Sequence, residues 1–196
     1  MKILSLVLVF LCFCTGAHAQ SEKLSECSIQ DLAISAALGD VTAQYNMGVE
    51  FHQGKVVPID LAKAAAFWRL AAKGGSIDAH NNLGHLNYYG RGIKKNEAEG
   101  IRLWRVAAEN GFIESQLHLA RAYSDGKFLK TDYIEAYAWA KSGLHFTLIG
   151  KEVDFREEYE KTANSILVLI QPRLTKAQLS VAESKAKQYI LKFAPR

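Results

Sequence analysis

From about residue 28 onward, apolar and polar positions follow a helical rhythm. Ala43, Met47 and Phe51 fall at i, i+4 and i+8, one stripe of a helix predicted over 42–53. Gly54 follows, where a helix stop favours a residue that can take the left-handed conformation. A short loop containing Pro58 leads to Asp60, whose short side-chain oxygen suits an N-cap. The second predicted helix carries Ala64, Trp68, Ala71 and Ala72 and stops at Gly74-Gly75. Then the pattern starts again. Ala43, Asn46 and Gly48 recur as Ala79, Asn82 and Gly84, and Gly54 recurs as Gly90 and Gly126. Trp68, Arg69, Ala71, Ala72 and Gly75 recur as Trp104, Arg105, Ala107, Ala108 and Gly111, every step being 36 positions. Asn96 and Asp132 repeat the N-cap of Asp60, and Asn96 with Glu99 and Asp132 with Glu135 have the spacing of a reciprocal capping box. Small alanines let neighbouring helices approach, and the tryptophans fill the space between layers. Arg69 and Arg105 are expected to face outward as solvated charges.

The array has distinct ends. Ser28 to Gly39 matches only the second half of a unit, since Ala36 and Gly39 lie 36 positions before Ala72 and Gly75. Incomplete terminal units are expected in a solenoid, where one face has no neighbour. The third unit is degraded: Ala140 stands where Trp68 and Trp104 stand, Ala120 replaces the first-helix glycine, and Trp139 sits one place early. Beyond it, Glu152 to Gln171 reads as a long helix with Phe155, Tyr159, Ala163, Ile166 and Ile170 at helical spacing, closed by Pro172. Thr175 and Gln178 then form a capping box for a last helix along which Leu179, Ala182, Ala186 and Ile190 share a face. The predicted organisation is a half-repeat at about 28–41, repeats at about 42–77, 78–113 and 114–149 within an array spanning 20–150, and a helical cap at 151–196.

The first residues belong to a different physical problem. Lys2, the apolar run Ile3 to Phe13, and Ala17-His18-Ala19 fit a cleaved secretory signal over 1–19, with Gln20 as the first mature residue. The run is shorter than the roughly 20 apolar residues of a permanent span; a retained signal anchor is the alternative. Bulky residues before Cys12 and Cys14 argue against a lipid-attachment site. Cleavage removes both and leaves Cys27, so no disulfide within the mature chain is available and a hydrophobic core must hold the fold. A net charge of +4, one unit less after cleavage removes Lys2, is too mild to call for nucleic acid.

The string Ala43-Gln44-Tyr45-Asn46-Met47-Gly48, with Gly54, Pro58, Asp60, Ala64, Trp68 and Ala71-Ala72, resembles the Sel-one-like repeat, a relative of the tetratricopeptide repeat with a longer loop between its helices. The resemblance runs from about Ala36 to Leu144 and is strongest in the first two units. It implies an all-α fold, a right-handed α-solenoid of helix-turn-helix repeats with a C-terminal helical cap; a last helix entered through Leu-Thr-x-x-Gln is common after such arrays. It also implies protein binding on a concave face lined by the first helices. Relatives outside the cytoplasm serve envelope assembly, sensory regulation, motility or host interaction.

Carried onto this chain, the concave stripe collects Tyr45, Val49, His52 and Gln53, then Asn81, His85, Tyr88 and Tyr89, then Leu117, Arg121, Ser124 and Asp125. Each set shares one helix face. Amides and rings in this mixture suit an extended peptide, with Tyr88 and Arg121 as its anchors. In a second reading, Tyr88 and Tyr89 fill the seam between helices. Among His52, His80, His85 and His118, the pair His80/His85 is five apart and turned away from each other, and no cysteine or carboxylate joins the histidines, so no metal and no cofactor are expected. Ser124-Asp125-Gly126-Lys127 and Ser184-Lys185-Ala186-Lys187 fit Ser-x-x-Lys, but the companion Lys-Thr-Gly is missing, the nearest run being Lys130-Thr131-Asp132. After Pro172, Arg173, Lys176, Lys185, Lys187, Lys192 and Arg196 face only Glu183; Lys185 and Lys192 share a face that suits either solvent or an acidic or lipid surface.

The functional expectation is a non-enzymatic scaffold or regulator in the bacterial cell envelope, periplasmic or secreted. Its partner is a protein or extended peptide, with no nucleic acid and no membrane span after cleavage. Cys27, expected to be at least half-exposed, could pair between two copies to give a homodimer. The alternatives are an envelope hydrolase of penicillin-binding or β-lactamase type, and a structural oligomer subunit linked through Cys27.

Overall fold

The computed structural model describes residues 28–150 and 155–193. The expected signal segment and Cys27 lie outside the described residues. Within them every regular element is helical: α1 (28–37), α2 (Val41–Gln53), α3 (Leu61–Lys73), α4 (Ile77–Tyr89), α5 (Glu97–Glu109), α6 (Ile113–Asp125), α7 (Tyr133–Ile149), α8 (Arg156–Ile170), a 3-10 turn (Gln171–Arg173) and α9 (Lys176–Lys192). The fold is the expected all-α helical repeat.

Two kinds of turn alternate, and glycine geometry decides each. After α2, α4 and α6 the chain takes φ of 71, 70 and 64° at Gly54, Gly90 and Gly126. The loop that follows is closed by a backbone hydrogen bond at the same place in all three units: Asp60 to Phe51, Asn96 to Asn87 and Asp132 to Tyr123, at 2.8, 2.8 and 3.1 Å. After α1, α3 and α5 the turn is tighter. Gly39, Gly75 and Gly111 sit at φ of 96, 96 and 85°, and the following amides of Asp40, Ser76 and Phe112 reach back to Ser35, Ala71 and Ala107. This is the paired closure of a helix end that satisfies its last carbonyls.

Helix α1 holds the place of a second helix in the repeat. Gln44 donates to the Ala36 carbonyl at 3.1 Å, and Gln116, two units later, donates to the Ala108 carbonyl at 3.1 Å. Each buried amide thereby satisfies a helix-end carbonyl of the preceding element, a group with no partner inside its own helix.

Trp68 and Trp104 are buried between helix pairs, 2% and 1% exposed. Each indole lies against a first-helix glycine, Gly48 or Gly84, so closely that a methyl group there would overlap the ring. The third unit loses both members together: Ala120 and Ala140 are buried side chains of one cluster. The displaced Trp139 points into the cap, 4.4 Å from Tyr189 and 5.4 Å from Phe193 between ring centroids. What reads in the sequence as decay of the repeat is a change of partner.

Four expectations are corrected here. The capping boxes at Asn96 and Asp132 are one-sided: both caps accept from the first-turn amides, but the Glu99 carboxylate is paired with Arg102 at 2.7 Å and that of Glu135 with Lys185 and Tyr189. A charged partner outcompetes a backbone amide for the carboxylate. The box at Thr175/Gln178 is complete. Phe155 does not continue the stripe of α8; it precedes the helix at φ 61° and is exposed. Arg105 is not a solvated charge, since it is half-buried and donates to the Tyr123 hydroxyl at 2.7 Å. Lys185 is committed to Glu135 and does not form a free basic face with Lys192.

Glu135 thus ties α9 to α7, accepting from the Tyr189 hydroxyl at 2.7 Å as well as from Lys185. Burial, then Glu135 itself, pushes the Tyr189 phenol well above its ordinary value, so it stays a donor. Glu135→Ala is expected to lower stability by about 1–3 kcal/mol, because it strands a half-buried ammonium and a hydroxyl. A urea midpoint unchanged from wild type would show that the cap is held by apolar packing alone.

Candidate functional site

The first helices present one continuous face. Tyr45, Val49, His52 and Gln53 of α2, Asn82, His85 and Leu86 of α4, Arg91 of the loop after α4, and Glu114 of α6 line a cleft of ≈ 340 Å³ whose floor includes Trp68. Five of the expected stripe residues meet in this cleft: Tyr45, Val49, His52, Gln53 and His85. His52 packs on Trp68 with centroids 5.4 Å apart, and burial lowers its pKa below the usual histidine value. The Tyr45 hydroxyl accepts from the Asn82 amide at 3.5 Å; burial, with Asp78 and Glu114 nearby, raises its pKa.

The remaining stripe residues divide. Tyr88 is half-buried against Trp104 (4.7 Å) and Phe128 (5.5 Å), which is the seam position, while Tyr89 is half-exposed beside it. Arg121 and Asp125 are exposed further along α6, outside the cleft. Asn81 is not a groove residue: at 2% exposure it bonds Glu114 at 2.8 Å and accepts from Ser115 at 2.7 Å. The position faces the first turn of α6 rather than solvent.

The expectation that no carboxylate joins the histidines is also overturned. Glu114 lies between His85 and His118. The His85 Nε2 is 3.2 Å from Glu114 Oε1, the His118 Nε2 is 3.5 Å from the same oxygen, and the two Nε2 atoms are 2.8 Å apart. These three side chains can supply ligand atoms to one metal ion. The His118 ring stacks on Trp104 at 4.3 Å and 19°, which fixes its plane. Burial lowers the His118 pKa and favours the neutral imidazole, although Glu114 pulls the other way. Burial alone would raise Glu114, but the adjoining His118 and His85 outweigh it and hold the carboxyl well below its ordinary range. Sequence reasoning missed Glu114, although Glu114 and His118 are spaced i, i+4, the separation at which two helical side chains can share an ion.

In the Ser-x-x-Lys run at 124–127, the Ser124 hydroxyl donates to the Arg121 carbonyl at 2.9 Å and Gly126 ends the helix before Lys127. The run at 184–187 lies on α9, with Ser184 and Lys187 exposed. Among the described residues no helix is long and apolar enough to cross a membrane.

The family model of the Sel1 repeat matches residues 41–76, 77–112 and 113–143, more than half of the chain. The chain belongs to the Sel1 repeat family. Among solved structures, it is similar to c5321, a protective antigen of uropathogenic Escherichia coli strains displaying an SLR fold. The identity is 31% and the TM-score 0.72, over 87% of this chain and 34% of the antigen. The chain thus spans about a third of that protein. It is also similar to a Sel1 repeat protein from Oxalobacter formigenes, at 26% identity and a TM-score of 0.56, over 68% of this chain and 97% of the other. Among curated proteins none matches significantly. Sel1 repeats generally serve as protein-interaction scaffolds, and the solenoid they build is typically non-catalytic.

Proposed function

We propose that this Sel1 repeat chain is exported and works in the cell envelope as a scaffold that holds a partner protein or extended peptide along its first-helix face. The observation that carries the reading is the cleft shared by α2, α4 and α6, where Tyr45, His52, Gln53 and Arg91 mix aromatic, imidazole, amide and guanidinium groups. Such a lining can bond a peptide backbone and pack its side chains. The second helices offer fewer aromatic groups: Arg69, Lys73 and Arg102 line a separate cleft with His80 and Glu99. Export rests on the basic start, short apolar run and Ala17-His18-Ala19. The description of the Escherichia coli relative as a protective antigen is in keeping with it.

A photo-crosslinking residue placed at Gln53, exposed at the cleft, is expected to capture a discrete partner in intact cells. The same residue at Arg69 is expected to capture none. Capture from Arg69 but not from Gln53 would move the binding face to the second helices. Fractionation of the tagged chain with the cytoplasm would refute export.

A further inference from the structure

We propose that His85, Glu114 and His118 form a binding site for one zinc-class divalent ion, with a fourth coordination position open to the cleft. This goes beyond the scaffold reading and does not depend on it.

Distance is the first support. An ion bound tetrahedrally through nitrogen and oxygen at about 2.0–2.1 Å holds its ligand atoms roughly 3.3–3.4 Å from one another. The three ligand atoms here are separated by 2.8, 3.2 and 3.5 Å. Two edges already fit, and opening the histidine edge by about half an ångström completes the triangle.

The second support is a shortage of protons. All three corners carry lone pairs. If both Nε2 atoms bear hydrogens, two N–H groups oppose each other across 2.8 Å. If one does, His118 or His85 still turns a lone pair toward another acceptor. No neutral arrangement of the two rings satisfies every edge, whereas a single cation at the centre satisfies all three.

The surroundings hold the ligands as a metal site needs them held. Asn81 fixes the distal oxygen of Glu114 at 2.8 Å, leaving the other free for an ion, and Ser115 anchors Asn81 in turn. Trp104 fixes the His118 ring from the side. Partners of this kind orient ligands and raise affinity. His85 and Glu114 both line the cleft, so the missing ligand would be a water or a group of whatever enters it. Two imidazoles with one carboxylate suit zinc and its neighbours, whereas calcium and magnesium require oxygen shells.

The repeat itself adds a third support. Asn81 meets Glu114 and His85 meets His118 across an offset of 33 residues. One unit earlier, the positions of His85, Glu114 and His118 are held by Val49, Asp78 and Asn82. Packing that every unit requires would recur; the preceding unit does not carry this trio.

The test uses the untagged chain, stripped with chelator, and zinc sulfate titrated by calorimetry. One equivalent is expected to bind, and His85→Gln and Glu114→Gln are each expected to weaken it at least about tenfold. His80→Gln, whose ring is bonded to the Ser76 carbonyl outside the trio, is expected to bind as wild type does. His118→Gln removes a ring stacked on Trp104, so its circular dichroism is compared with wild type, and the other two variants decide the outcome. Cobalt in place of zinc should give the intense visible bands of a tetrahedral site. Absence of stoichiometric binding, or zinc affinity unchanged in both His85→Gln and Glu114→Gln, would overturn the proposal and leave a hydrogen-bonded cluster.

Discussion

Trp104→Ala is expected to lower the unfolding free energy by about 3–5 kcal/mol, the range for emptying a large aromatic site in a packed core. The indole is 1% exposed and sits where three helices converge. Tyr88 of α4 and His118 of α6 pack on it at 4.7 and 4.3 Å, and His85 meets it edge-on at 5.3 Å. Its removal therefore leaves a void whose walls belong to different helices, which cannot collapse together without shifting the α4–α6 contact. Because each unit of a solenoid touches only its neighbours, the loss should be local. Hydrogen exchange should accelerate in α4, α5 and α6 while the amides of α9, tied to α7 through Glu135, stay close to their wild-type protection. A variant with the urea midpoint of wild type would mean that the tryptophan is not a core residue. Uniform acceleration across all helices would mean that the array unfolds as one unit.

What was legible in the sequence is what the chain decides locally. A glycine at φ between 64 and 96° follows each helix from α1 to α6, and an oxygen-bearing cap (Asp60, Asn96, Asp132) opens each second helix, so both recur every 36 positions and are visible without a structure. What was hidden depends on how neighbouring helices slide. Between α4 and α6 the side-chain contacts fall at an offset of 33, not 36. That offset buries Asn81, which the 36-residue register puts in the groove, and brings His85 to Glu114, which that register leaves out. The capping box at Asp132 failed for a related reason: Glu135 lies within reach of α9, about 50 residues away, which no local rule anticipates, whereas Glu99 is taken by its own helix neighbour Arg102. Tyr88 suits groove and seam equally well by spacing, and the structure puts it in the seam, because Gly100 lets α5 approach so closely that a methyl there would meet the Tyr88 backbone at 2.8 Å.

Gly84→Ala is expected to cost about 1–3 kcal/mol in the wild-type chain, the usual range for forcing an extra carbon into a filled core. It is expected to cost far less in a chain that already carries Trp104→Ala. A methyl group at Gly84 would lie 2.6 and 2.7 Å from two atoms of the Trp104 ring. The indole is rigid and enclosed, so the overlap must be relieved by moving α4 away from α5. Alanine is otherwise the better residue for a helix interior by roughly 1 kcal/mol, so without the ring the substitution can even become favourable. The third unit is a natural version of the double variant: it carries Ala120 and Ala140 in place of the glycine and the tryptophan, both buried. Urea unfolding of the two single variants and the double variant gives the coupling directly, expected at about 1–3 kcal/mol for residues in contact. Strictly additive effects would show that glycine is kept at this position for a reason other than the indole, and the paired loss in the third unit would then need a separate cause.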